Sequence, residues 1–256
     1  MILIAGPCVL EDEKTVFQTC EFLIKQTEKY NIEFFFKSSY DKSNRSSISS
    51  FRGPGINAGY KIFEKLKKRY NVNILTDIHK ETEVAIIKDV VDIIQIPAFL
   101  CRQTDLLKAA AESKKIVNVK KGQFMAPWDM KFVVEKLKYF NAAVIFITER
   151  GFSFGYNNLV VDYRSFPILK SLGCKVIFDA THSVQLPSKG ENGTNGERQF
   201  VPYLSRAAIA CGIDGLFMEV HPDPDNALCD GQNMVDFAVL ENIIDEALTI
   251  ENALKK

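Results

Sequence analysis

Neither sign of charge is in excess in this sequence. Lys and Arg total 32 and Asp and Glu total 32 across 256 residues. A nucleic acid or an anionic membrane surface therefore cannot be held by bulk charge, and any anionic ligand must be met by local basic groups. Long apolar runs are missing as well. Met1-Ile2-Leu3-Ile4-Ala5-Gly6 is apolar for only a few residues, has no basic start and runs into Pro7 and Cys8. That is too short for a secretory h-region or a membrane span. Cysteine is sparse: six residues scattered along the chain do not make a disulfide framework, so a cytoplasmic, reducing compartment is expected. Cys20, Cys174 and Cys211 are expected to be small buried hydrophobes and Cys101 a structural residue. Low-complexity segments, linkers and short repeats are absent, and no local ligand motif of the HExxH kind occurs.

With 46% hydrophobic and 25% charged residues, the chain can bury a substantial core and stay soluble. Its length suits one (β/α)₈ barrel, which needs about 250 residues. Short β-rich runs fall at residues 2–5, 33–37, 73–77, 93–96, 116–120, 143–148, 175–179 and 215–220. They read as near-continuous apolar segments, as strands covered on both faces do. Stretches with helical spacing lie between them, among them Val16, Cys20, Leu23 and Ile24, and Val133, Val134, Leu137 and Phe140. Eight such units without a break in composition predict an α/β fold, a single-domain TIM barrel over residues 1–256, with a doubly wound open sheet as the alternative.

Each predicted strand ends in groups that are costly to bury without a task. They are Cys8, Lys37, Asp77 with His79, Gln95, Lys120, Glu149-Arg150, Asp179 with His182, and Glu219 with His221. All three histidines of the chain are in this set. In a barrel these ends converge on one face, where barrel enzymes place their chemistry. Closure makes the first and eighth strands neighbours, so Cys8, His182, Glu219 and Asp230 can meet. One thiolate, one imidazole and two carboxylates suit a borderline divalent ion such as Zn, Fe, Mn or Co. Cys229, beside Asp230, competes with Cys8 for that role.

Lys37, Lys42, Arg45, Arg102, Lys120, Lys121 and Arg150 gather at strand ends or in the loops that follow. A lysine closing an apolar strand needs a counter-charge. The loop from Ser38 to Ser47 adds several hydroxyls beside Lys42, Asn44 and Arg45, more donor capacity than one carboxylate requires, so two anionic substrates are expected. Phe51-Arg52-Gly53-Pro54-Gly55 adds backbone freedom nearby. The stretch 187–199, with Gly190, Gly193 and Gly196, reads either as a lid over the site or as a plain surface loop.

These residues closely resemble those of the 3-deoxy-D-manno-octulosonate 8-phosphate synthases. The matching segments are IAGPCVLE at 4–11, FFKSSYDKSNRSS at 35–47, FRGPG at 51–55, LTDIH at 75–79, IQIPAFLCRQTDL at 94–106, NVKKGQFMAP at 118–127, ERGFSFGYNNLVVD at 149–162, DATHSVQLP at 179–187 and DGLFMEVHPDP at 214–224. The resemblance implies a homotetrameric barrel that condenses phosphoenolpyruvate with D-arabinose 5-phosphate and water, feeding lipopolysaccharide synthesis. It places catalytic roles on Lys37, Lys42, Asp77, His182 and Asp230. Substrate contacts fall to Ser39, Asn44, Arg45, Ser46, Gln95, Pro97, Ala98, Arg102, Lys120 and Arg150, with Arg102 directed at a neighbouring subunit's site. Cys8, His182, Glu219 and Asp230 place the chain in the metal-dependent class, since the metal-independent class has Asn at the position of Cys8. The segment from Ala227 to Gln232 departs from the usual wording of that class. Two other readings stay open: a 3-deoxy-D-arabino-heptulosonate 7-phosphate synthase, whose loop after the second strand is KPRTSP-like, and a non-catalytic sugar-phosphate-binding barrel.

Overall fold

The protein, seen in a computed structural model that describes residues 1–190 and 193–255, closes eight parallel strands into a barrel. The strands are β1 (Ile2–Gly6), β2 (Glu33–Lys37), β3 (Ile74–Asp77), β4 (Ile93–Ile96), β5 (Ile116–Lys120), β6 (Ile145–Glu149), β7 (Lys175–Asp179) and β8 (Gly215–Glu219), with β1 paired to β8. Around them lie α1 (Glu13–Tyr30), α2 (Ile56–Tyr70), α3 (Glu81–Ile87), α4 (Thr104–Glu112), α5 (Met130–Tyr139), α6 (Ser165–Lys170), α7 (Val201–Ala210) and α8 (Phe237–Leu254). The expected barrel forms, and the open-sheet alternative is excluded.

Strand alternation places the chemistry. Successive side chains point to opposite faces. Leu3, Ala5, Phe36, Ile74 and Ile94 therefore pack outward against the helices. Ile2, Ile4, Phe35, Leu75, Ile93, Phe146, Ile177 and Phe217 fill the lumen as a second apolar cluster. Full burial of each such side chain contributes about 1.5–3 kcal/mol. Two residues beyond these lumen positions, on the same inward face, stand Gly6, Lys37, Asp77, Gln95, Thr148, Asp179 and Glu219. The same period puts Asn118 and Lys120 inward on β5. Asn118 Nδ2 donates to Gln95 Oε1 at 2.9 Å and Thr148 Oγ1 to Asn118 Oδ1 at 2.7 Å, a buried polar layer between apolar floor and site. Gly6 is required where β1 crosses β2, because a Cβ there would lie 2.1 Å from the Lys37 carbonyl oxygen.

One detail departs from expectation. Cys211 caps the end of α7 beyond the buried stripe of Val201, Ser205, Ala208 and Ile209, and it is exposed; Cys20 and Cys174 are buried as expected. The stretch 187–199 contains part of an antiparallel pair, Gln185–Gly190 with Gly193–Gly196, and its tip at 191–192 lies outside the described residues.

Candidate active site

The carboxyl ends of the strands open into one cavity of about 380 Å³. Lys37, Ser39, Lys42, Asn44, Arg45, Ser46, Asp77, Gln95, Pro97, Ala98, Lys120, Arg150, His182, Glu219 and Asp230 all line it. Cys8 sits directly behind, its Sγ 3.6 Å from Asp230 Oδ2. Two basic residues of the expected cluster are elsewhere. Arg102 is exposed outside the cavity of its own chain, its carbonyl accepting from Lys136 Nζ at 3.1 Å. Lys121, one residue past inward-facing Lys120, points out of the lumen and is buried near Glu149 Oε1 at 3.3 Å and the Met125 carbonyl at 3.3 Å. It lines a separate apolar cavity with Trp128 and Phe152.

The cations in the cavity are paired with carboxylates. Lys37 Nζ contacts Glu219 Oε1 and donates to the Cys8 carbonyl at 2.9 Å, while Lys42 Nζ lies 3.6 Å from the same Glu219 oxygen. Burial alone would lower the pKa of Lys42, but the neighbouring Cys8 sulfur and the Glu219 carboxylate raise it well above the usual lysine value. Burial alone would raise Glu219, yet Lys37, His182 and Lys42 hold it well below the carboxylate range. Lys120 Nζ contacts Asp179 and lies 3.8 Å from the centre of the Phe217 ring, a cation–π contact on the lumen floor. Burial is the main cause of its lowered pKa.

Arg150 is half committed. Glu149 Oε1 accepts from the Arg150 and Gly151 amides at 2.9 and 2.8 Å, fixing the turn after β6. Arg150 Nη2 donates to Gln185 Oε1 at 2.6 Å, whereas buried Nη1 has no partner among the described residues. One edge of the fork is thus pinned and the other is free for a ligand. At the opposite wall, Asp77 Oδ1 accepts from Ser39 Oγ at 2.5 Å and Oδ2 lies 3.1 Å from His79 Nε2. Burial opposes charge on both groups, but their pairing raises His79 and depresses Asp77. His221 instead pairs with Glu11 outside the cavity, so only two of the three histidines face it.

The metal donors form two groups among the described residues, Cys8 with Cys229 and Asp230, and His182 with Glu219 and Asp230, with Asp230 common to both. The chemistry of the set fits a divalent ion. Glu219 Oε2 is buried with no hydrogen-bond partner among the described residues and lies 3.6 Å from His182 Nε2, an orphaned anionic oxygen whose burial is costly without a cation. Asp179 Oδ2 lies 2.8 Å from His182 Nδ1, and Oδ1 accepts from the His182 amide at 2.9 Å. That carboxylate fixes the ring and leaves Nε2 facing the donors, as outer partners of metal-binding histidines do. Asp230 adopts φ 47°, rare for a residue with a Cβ, and Arg45 Nη1 holds its Oδ1 at 3.1 Å.

Sequence reasoning placed Asp179 and Glu149 at strand ends without giving either a role. Gln123, Gln185 and Ser50 also line the cavity without a strand-end position to mark them.

Fold and site together define a (β/α)₈ barrel with a polycationic cavity at the catalytic face of its strands. A family model described as the DAHP synthetase I family matches residues 1–255. Relatives named 2-dehydro-3-deoxyphosphooctonate aldolase cover nearly the whole chain. The one from a Cyanothece species is 52% identical over 252 residues, 98% of this chain and 92% of the relative. That from a Geobacter species is 55% identical over 235 residues, 92% and 86% of the two chains. That from Legionella pneumophila is 50% identical over 256 residues, 100% and 93%. The chain belongs to the DAHP synthetase I family and, within it, to the 2-dehydro-3-deoxyphosphooctonate aldolases.

Proposed function

We propose that the protein condenses phosphoenolpyruvate with D-arabinose 5-phosphate and water to give 3-deoxy-D-manno-octulosonate 8-phosphate and inorganic phosphate, for lipopolysaccharide biosynthesis. The observation that carries this reading is one cavity offering two sets of anion-binding groups, one on the strand ends and one on the loop after β2. Lys37, Lys42, Gln95, Ala98, Lys120 and Arg150 receive phosphoenolpyruvate, with Ser39 and Pro97 shaping its wall. Asn44, Arg45 and Ser46 receive the sugar phosphate. The loop carrying them reads Asp41-Lys42-Ser43-Asn44-Arg45-Ser46-Ser47, unlike the KPRTSP-like loop of the heptulosonate enzymes.

Carbon C3 of the enol phosphate attacks the aldehyde, water adds at C2, and phosphate leaves by C–O cleavage. Two anions must approach each other for this, and the lysines and arginines neutralise their repulsion while fixing orientation. Asp77, held by Ser39 and His79, sets the field beside Lys42. Cys8, His182, Glu219 and Asp230 hold one divalent ion of the Zn, Fe, Mn or Co type. Bound there, the ion supplies Lewis acidity toward the aldehyde or toward a water.

No helix among the described residues is long and apolar enough to cross a membrane, and the scattered thiols support a cytoplasmic location. Phe99 lines the cavity and is exposed, and Arg102, three residues on, is exposed outside it. They suit a homotetramer in which each chain completes its neighbour's site, an assembly that light scattering on the eluted protein would measure.

Phosphate release tests the activity. It should require both substrates and favour arabinose 5-phosphate over erythrose 4-phosphate. Preference for erythrose 4-phosphate would make the protein a heptulosonate synthase, and no release with either sugar would leave only a binding barrel.

A further inference from the structure

The donor groups contain a sulfur that the four-residue ligand set leaves unused. Cys229 and Cys8 are 221 positions apart in the chain, yet their Sγ atoms lie 2.6 Å apart. Both are buried, at 2% and 1% exposure, in a small cluster with Val9 and Met234. The Asp230 carboxylate stands beside them, 3.6 Å from Cys8 Sγ, and the same carboxylate belongs to the His182 and Glu219 group. The orphaned Glu219 Oε2 on that side independently calls for a cation.

We infer that Cys229 is a second sulfur donor to the ion held by Cys8, His182, Glu219 and Asp230, which makes this site selective for thiophilic cations. As thiols the two sulfurs can share only weak hydrogen bonds with each other and with the carboxylate, and as thiolates all three repel. They gain together from a positive ion, and thiolates favour soft or borderline ions over hard ones. At a metal–sulfur distance of about 2.3 Å, two tetrahedral sulfurs sit about 3.8 Å apart. Both thiols can therefore reach one ion by parting roughly an ångström, within the range of a small side-chain rotation. Arg45, which holds Asp230 Oδ1, leaves Oδ2 on the sulfur side.

The inference rests on the metal reading above, and cobalt(II) separates the two. The reconstituted full-length protein is titrated with Co²⁺ while the near-ultraviolet thiolate-to-cobalt charge-transfer band is recorded, since its intensity scales with the number of bound thiolates. Wild type should show a two-thiolate band, and Cys229→Ser and Cys8→Ser should each keep about half of it. Competition between Zn²⁺ and Mn²⁺ should shift toward Mn²⁺ in Cys229→Ser by roughly tenfold or more. A full band in Cys229→Ser, or a one-thiolate band in wild type, overturns the second donor and leaves the metal reading standing. Absence of any cobalt binding overturns both. All six cysteines should titrate as thiols in the unfolded, unreduced protein. A count of four would identify a disulfide in place of a two-sulfur donor and overturn the inference.

Discussion

Asp179→Asn is the sharpest single test of how the site is held together, because Asp179 holds both Lys120, proposed to bind phosphoenolpyruvate, and His182, proposed to bind the metal. It is fully buried and contacts Lys120 Nζ, the His182 amide and ring, and Thr181 Oγ1 at 3.2 Å. The amide keeps the shape and removes the charge. Lys120 is then a buried cation without its nearest partner, a loss worth about 3–5 kcal/mol when one member of a buried pair is deleted. Deprotonation of Lys120 caps that cost. From an ordinary value of about 10.4, neutralising a lysine at pH 7 costs no more than about 4.6 kcal/mol, and burial has already lowered this one. A loss of about 3 kcal/mol corresponds to a melting point lower by about 6–12 °C for a chain of this size. His182 also loses the acceptor that orients its ring, which should weaken metal binding by roughly 10–100-fold.

The pH dependence gives a further handle on the same variant. Burial opposes ionisation of Asp179, but His182 and Lys120 hold its pKa below the usual range. A depressed carboxylate contributes stability that is fully present above its unfolded pKa, about 3.9, and is lost as pH falls through the folded value. The stability gap between wild type and variant should therefore be widest above about pH 4 and narrow below it. Urea unfolding of the metal-free proteins at several pH values measures that gap, and metal titration at pH 7 measures the second effect. Equal metal affinity together with a pH-independent gap would refute the role given to Asp179.

Arg150→Lys should not restore function, because a point charge cannot both hold Gln185 and present a free edge to phosphate. A loss of about 1.5–3 kcal/mol, tenfold or more in kcat/KM, is expected, and wild-type turnover would make Arg150 structural. Arg45→Ala should raise KM for arabinose 5-phosphate roughly tenfold or more while sparing phosphoenolpyruvate; the opposite pattern in steady-state kinetics reverses the pocket assignment. Chelation should abolish turnover, with recovery on Zn²⁺, Mn²⁺, Co²⁺ or Fe²⁺ and little on Mg²⁺, which favours oxygen donors and keeps its waters. Full turnover by protein verified metal-free by elemental analysis would end the metal reading.

The barrel was legible because a period of two is written into each strand. Once Phe35, Leu75, Ile93, Ile177 and Phe217 are read as lumen residues, their inward successors Lys37, Asp77, Gln95, Asp179 and Glu219 are fixed without further information. The same rule, applied one step more strictly, would have separated Lys120 from Lys121, whose side chains must face opposite ways. Cys211 was misread because α7 ends one residue earlier, where the apolar stripe no longer dictates burial. Arg102 resembles the other loop cations by type and position; the family resemblance directed it at a neighbouring subunit's site, and the chain after β4 leaves it outside its own cavity.

What composition and spacing could not supply is partnership. Lys37 and Lys42 read as substrate cations and Glu219 as a metal donor, yet both lysines share one oxygen of that carboxylate. Arg45 and Asp230, assigned to different ligands, hold each other. Such pairs join residues more than 170 positions apart, and no local signal encodes them. They arise because closure of the barrel brings the ends of β1, β2, β7 and β8 to one point, where each buried charge must find a counter-charge. The lysines therefore compensate Glu219 through one oxygen and leave the other bare. That division lets a cation be added beside Oε2 without first breaking the Lys37 pair, so the two sets of charges can be filled together rather than in competition.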